Sequence, residues 1–181
     1  MSATPVWAGV VVSDLARSTA WYTATLGCAV TERSARLAVL AFPDGSTIEL
    51  VLGDPTRPAS AFPSYREEPG PPVMPGFSVE DPDELGRGFA IASWLPQWVV
   101  AVGPEGLRAV LCDRVGAGRA LCGFRVASPV PDAHREWFAS FGAVIEAVEA
   151  DELSVGLRIR GTADAEHRDP DGTPVRIVAA S

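Results

Sequence analysis

Hydrophobic residues along this chain fall into short strand-like blocks punctuated by turn residues, and in places they switch to the three-to-four spacing of an amphipathic helix. The blocks WAGVVVSD (7–14), MPGFSVED (74–81) and LCGFRVAS (121–128) share the frame Gly-x-x-Val. Each predicts a strand that runs into a helix. Behind the first, SDLARSTAWYTATLG offers Ser13 or Asp14 as N-cap, sets Leu15, Tyr22 and Leu26 on one face, and stops at Gly27. Behind the third, PDAHREWFASFG repeats the plan: Asp132 lies near the start, His134, Trp137, Phe138 and Phe141 lie on one side, and Gly142 ends it. Behind the second, DPDELGRGFA places Leu85 and Phe89 four apart. Gly86 and Gly88 each cost about 1 kcal/mol relative to alanine there, which predicts a short helix.

Strand-like segments follow each helix. In the first copy, CAVTERS and RLAVLAF lead to the turn Pro43-Asp44-Gly45 and the strand STIELVL. In the second, PQWVVAV leads to Pro104-Glu105-Gly106 and LRAVLCD, with one strand missing or very short between Phe89 and Pro96. The third runs AVIEAVEA, LSVGLRIRG, Pro170-Asp171-Gly172 and TPVRIVAA, and places His167 in a loop. The Pro-acid-Gly turns stand 61 and then 66 residues apart, so the chain reads as one unit repeated three times. The expectation is an α+β fold of βαβββ units with the middle one truncated. Unit one covers 5–53, a Pro-rich linker 54–72, unit two 73–114 and unit three 120–181.

Composition narrows the chemistry. With 47% hydrophobic residues in 181, the chain has ample material for a core without staples. A net charge of −8 argues against nucleic acid, whose phosphates require a basic face. All 15 cationic side chains are arginine, and the absence of lysine excludes Schiff-base chemistry. Cys28, Cys112 and Cys122 have neither disulfide arithmetic nor zinc-knuckle spacing and read as buried free thiols. The first residues lack a basic and apolar leader, and no run approaches bilayer length, so a cytoplasmic protein with no membrane partner is expected.

The stretch VVVSDLARSTAWYTATLGCAV resembles the opening of vicinal oxygen chelate proteins, the superfamily of glyoxalase I, bleomycin-resistance proteins and extradiol dioxygenases. FPDGSTIELV, GPEGLRAVLC and DPDGTPVRIV are similar to its closing strand. The resemblance implies curled mixed sheets whose concave face holds the ligand, often above a divalent metal. The positions that it implies for metal ligands carry Trp7, Met74 and Leu121 at the first place and Glu49, Val110 and Arg176 at the second. Only Glu49 among these is a ligand type, and one carboxylate cannot hold such a metal. His134 and His167, the two histidines, lie at neither place. No metal and no cofactor are therefore expected.

Trp7, Met74, Val110 and Leu121 then read as apolar ligand-binding positions, or as hydrophobes filling the space of a lost metal. Glu49 reads either as a strand-end carboxylate or as a general base. If units one and three pair, Glu49 faces Arg176 and the two form a catalytic candidate pair. Three functions follow as expectations. The first is a metal-independent binder of a small organic ligand, such as an antibiotic or secondary metabolite. The second is a cofactor-free isomerase, cyclase or lyase. The third is an interaction or regulatory module in which the odd unit pairs across a homodimer.

Overall fold

The computed structural model describes residues 3–58, 61, 70–83, 87–95, 98–113 and 120–179, with 90–95 described by backbone alone. Strand β1 (Thr4–Val12) leads to helix α1 (Leu15–Leu26), then β2 (Ala29–Arg33), β3 (Leu37–Ala41) and β4 (Thr47–Leu52). Next come β5 (Val73–Ser78), β6 (Ala90–Leu95), β7 (Trp98–Val102) and β8 (Arg108–Cys112). The remainder is β9 (Leu121–Ser128), helix α2 (Pro131–Ala139), β10 (Glu146–Glu149), β11 (Ser154–Gly161), β12 (Ala165–Arg168) and β13 (Pro174–Ala179). Helix α1 begins where Asp14 accepts the Arg17 N–H at 2.9 Å and ends at Gly27, whose φ of 69° suits a residue without Cβ.

An eight-stranded sheet runs in the order β2-β3-β4-β1-β5-β8-β7-β6, so units one and two join through the antiparallel pair β1 and β5. Unit one therefore does not pair with unit three. In that central ladder Trp7 stands opposite Gly76. A Cβ on residue 76 would come within 2.7 Å of the indole, which is why the large side chain faces a glycine.

The expected shape of the sheets and the make-up of the units are corrected by the structure. The sheets are open rather than curled: strand order is linear, with β2 and β6 ending one sheet and β10 and β12 ending the other. All five residues of the edge strand β2 are exposed, with Glu32 and Arg33 among them, and charged edges discourage closure by further pairing. The middle unit is not truncated at its second strand, since β6 pairs antiparallel with β7 between Phe89 and residue 98. Of its helix, residues 84–86 lie outside the described set.

Unit three also departs from βαβββ. Its sheet runs β10-β9-β11-β13-β12, with β10 parallel to β9 and β11 antiparallel to β9. The β9–β11 ladder reproduces the antiparallel β1–β5 joint, including a register shift. His167 lies on β12, in register with Val175, rather than in a loop.

Both sheets share one core. Period-two alternation turns Ala8, Val10, Val12, Ile48, Leu50 and Phe77 of the larger sheet towards Phe124, Val126, Leu157 and the helices. Phe77 meets Phe124, Phe138 and Phe141 at ring-centroid distances of 5.4, 5.7 and 5.8 Å.

The repeated Pro-acid-Gly turns have a use that spacing alone does not disclose. Each acid crosses to the other layer: Asp44 accepts the Ala120 N–H, Glu105 accepts from Ser128 Oγ, and Asp171 accepts the Ser13 N–H. Glu105 adopts φ 53° and ψ 28°, a left-handed conformation that costs a non-glycine residue about 1–3 kcal/mol. Its carboxylate also meets the buried His134 Nε2 at 3.0 Å, and the Ser128 bond first and His134 next hold its pKa below the ordinary carboxylate value.

Beside these clasps, buried Asp169 accepts the Tyr22 hydroxyl at 3.0 Å and the backbone N–H groups of Asp171 and Thr173. Desolvation raises its pKa despite these bonds. A carboxyl with a raised folded pKa binds more protons folded than unfolded, so its contribution falls as pH rises from the ordinary value towards the raised one. Relative to Asp169→Asn, the wild type is therefore expected to lose stability over the pH range from the ordinary carboxylate pKa up to the raised one. Urea unfolding of both proteins across that range checks it, and a constant or widening wild-type advantage contradicts it.

Candidate functional site

The outer face of the eight-stranded sheet collects three of the four apolar candidates. Trp7, Met74 and Val110 are 3%, 5% and 1% exposed and pack in one cluster with Val6, Val11, Val100 and Cys112. Trp98 meets Trp7 edge-on at 5.6 Å, and Ala61 and Val51 pack against the group. Leu121 is not among them, for it lies in the core between the sheets. Register places Glu49 beside Gly9 on β1 and Val39 on β3, on the same face as Val51. Arg176 belongs to the other sheet, where its guanidinium reaches Glu146, so Glu49 and Arg176 are not brought into one floor.

A divalent metal does not fit the positions that the family uses. Indole nitrogen has no free lone pair, thioether is too soft for zinc, iron or manganese, and valine offers no donor, leaving Glu49 alone. Among the described residues no group of three or more His, Cys, Asp or Glu is placed to hold a metal ion.

The outer face of the five-stranded sheet is different in kind. It carries a depression of about 480 Å³ whose apolar part comes from Ala127, Val148 and Pro174. Its charged lining sets Arg125, Arg168 and Arg176 against Glu149 and Glu166, while Arg158 and Glu146 stand beside it on the same face. Gly156 aligns with Arg125 on β9, and Arg158 aligns with Arg176 on β13 and with Gly123 on β9. Period two therefore turns Arg125, Arg158 and Arg176 to one side of the sheet. Edge strand β10 supplies Glu146, in register with Arg125.

All three guanidiniums converge on that one carboxylate. Arg125 Nε lies 3.5 Å from Glu146 Oε1, Arg158 Nε lies 3.4 Å from Oε2, and Arg176 Nη1 lies 3.4 Å from Oε1. These distances exceed the 2.7–2.9 Å of a tight charge-assisted bond. Arg158 Nε is buried and has no hydrogen-bond partner among the described residues, although the carboxylate is close enough for an ion pair. Arg125 also approaches Glu166 at 3.7 Å, but that side chain is 71% exposed and its charge is screened by water.

Reading the chain residue by residue missed Arg125, Arg158 and Glu146. A signal was there: the triplets Phe-Arg-Val (124–126), Leu-Arg-Ile (157–159) and Val-Arg-Ile (175–177) each set one arginine between two apolar residues of a strand. The apolar neighbours fix the buried face, so the arginines must share the opposite one.

The family model described as Glyoxalase/Bleomycin resistance protein/Dioxygenase superfamily matches residues 4–177, and the chain belongs to that superfamily. No curated protein sequence matches the chain. Among solved structures, homoprotocatechuate 2,3-dioxygenase from Arthrobacter globiformis is similar, with a TM-score of 0.71 and 13% identity over 98% of this chain and 79% of that one. A variant of homoprotocatechuate 2,3-dioxygenase from Brevibacterium fuscum gives a TM-score of 0.68 at 11% identity, covering 96% of this chain and 70% of the other. At such identity the likeness shows the fold alone.

Proposed function

We propose that this superfamily member is a metal-independent binder of a small organic molecule, an antibiotic or secondary metabolite, held in the depression on the five-stranded sheet. One observation carries the reading: the depression has the volume of a small-molecule site, whereas Trp7, Met74 and Val110 are packed shut as a core cluster. In this reading the apolar trio fills the space that a metal and its ligand would take.

Native mass spectrometry of freshly purified protein tests the proposal, alongside Ala127→Trp, which places an indole in the depression. The wild type is expected to retain an organic adduct, or to acquire one in a small-molecule screen, and Ala127→Trp is expected to lose it. An adduct indifferent to Ala127→Trp, or a stoichiometric metal required for binding, rules the proposal out.

A further inference from the structure

We infer that the ligand seat on the five-stranded sheet selects an organic carboxylate with an apolar body, gripped by Arg125, Arg158 and Arg176 in competition with Glu146. The inference rests on the proposed location of the site and adds its ligand class.

Strand spacing brings neighbouring side chains on one face of a sheet within about 5 Å, where like charges repel. Arg158 and Arg176 are such neighbours, and Arg125 lies on the strand beyond β11. Three cations at this separation need an anion between them. The protein supplies one, Glu146, at ion-pair distances of 3.4–3.5 Å from each. One carboxylate leaves the three positive charges undercompensated, and most of their roughly fifteen N–H donors are not used by it. Of the further acids at the rim, Glu149 is exposed, and Glu166, in register with Arg176 and 3.7 Å from Arg125, offsets part of the positive field, a share that solvent reduces.

This concentration of arginine runs against the chain as a whole, which carries 23 acidic residues against 15 arginines. The partner suited to a fork of planar guanidiniums is a carboxylate or phosphate oxygen pair. Two features favour a carboxylate on an apolar frame: Glu146 already presents a carboxylate to these arginines, and Ala127, Val148 and Pro174 line the adjoining wall. Glu146 thus stands where a ligand's own carboxylate would be held, and the two compete for the same donors.

The test uses isotope-labelled full-length protein, with arginine Nε–H resonances followed during titration with phenylacetate, its neutral isostere phenylacetamide, or inorganic phosphate. Phenylacetate is expected to shift the Arg125, Arg158 and Arg176 signals saturably, with a dissociation constant in the millimolar range set by its few atoms. Phenylacetamide is expected to bind at least about tenfold more weakly, because it lacks the charge that these donors meet. Arg158→Gln and Arg176→Gln should each weaken phenylacetate by about tenfold.

Glu146→Gln should tighten phenylacetate several-fold, and added phenylacetate should raise its melting temperature more than that of the wild type. A purely structural ion cluster predicts the opposite, a loosened sheet with no gain in affinity. Far-UV circular dichroism of each variant shows whether it has folded, and the two arginine variants carry the test should Glu146→Gln not fold.

Equal affinity for the acid and the amide, both abolished by Ala127→Trp, removes the carboxylate class and leaves the depression as the seat. Binding of either probe that is indifferent to Ala127→Trp removes the seat as well. Phosphate binding as tightly as phenylacetate overturns the requirement for an apolar body. No shift in either the wild type or Glu146→Gln overturns the inference.

Discussion

Trp7→Ala is expected to lower the unfolding free energy by about 3–5 kcal/mol, while ligand binding at the five-stranded sheet stays unchanged. The indole is 3% exposed, meets Trp98 edge-on at 5.6 Å and sits over Gly76, so truncation leaves a cavity bounded by a ladder that cannot collapse. Trp7→Phe is expected to cost only about 1 kcal/mol. It keeps most of the apolar volume and drops an indole N–H that is buried without a hydrogen-bond partner among the described residues. Urea unfolding measures both variants, and native mass spectrometry follows the ligand. A stable Trp7→Ala protein that had lost its ligand would instead make Trp7 part of the binding surface, and the apolar cluster would have to be reread as a site.

Phe77→Ala is expected to be as damaging, again by about 3–5 kcal/mol, for a different reason. Phe77 is the side chain of the larger sheet that meets Phe124 of the smaller sheet and both Phe138 and Phe141 of the α2 region. Its loss should weaken the joint between the two layers as well as the core. A single cooperative transition, displaced to lower denaturant without splitting, is the expected result, because both sheets contribute to one cluster. Two separated transitions, or a loss below about 1 kcal/mol, would mean that the layers fold independently of this contact.

These two residues show how unevenly the chain can be read. Trp7 and Met74 were legible as equivalent positions from the shared Gly-x-x-Val frame, and they meet because units one and two pair through their first strands. Leu121 has the same place in the frame and ended elsewhere. Its strand, β9, pairs with β11 instead of with another complete unit, and Leu121 turned into the core between the sheets. The expected Glu49–Arg176 pair failed likewise. Spacing locates each residue on its strand, but the choice of partner strand is a contest between long-range ladders that no local pattern encodes.

The arginine cluster illustrates the same limit from the other side. Alternation alone turns each of Arg125, Arg158 and Arg176 away from the core. That their three strands lie side by side, with Glu146 at the neighbouring edge, depends on β13 inserting between β11 and β12 and on β10 docking beside β9. The Pro-acid-Gly turns were equally visible as punctuation, while their crossing to the opposite layer was not.

By itself, the amino-acid sequence determined the repeat, the capped first helix, the faces of the strands and the loss of metal-ligating side chains, because each depends on chemistry within a few residues. Tertiary structure alone decided that units one and two share an open sheet and that one carboxylate stands among three arginines. Those outcomes depend on which distant strands exclude water together, and burial on that scale is a property of the assembled chain.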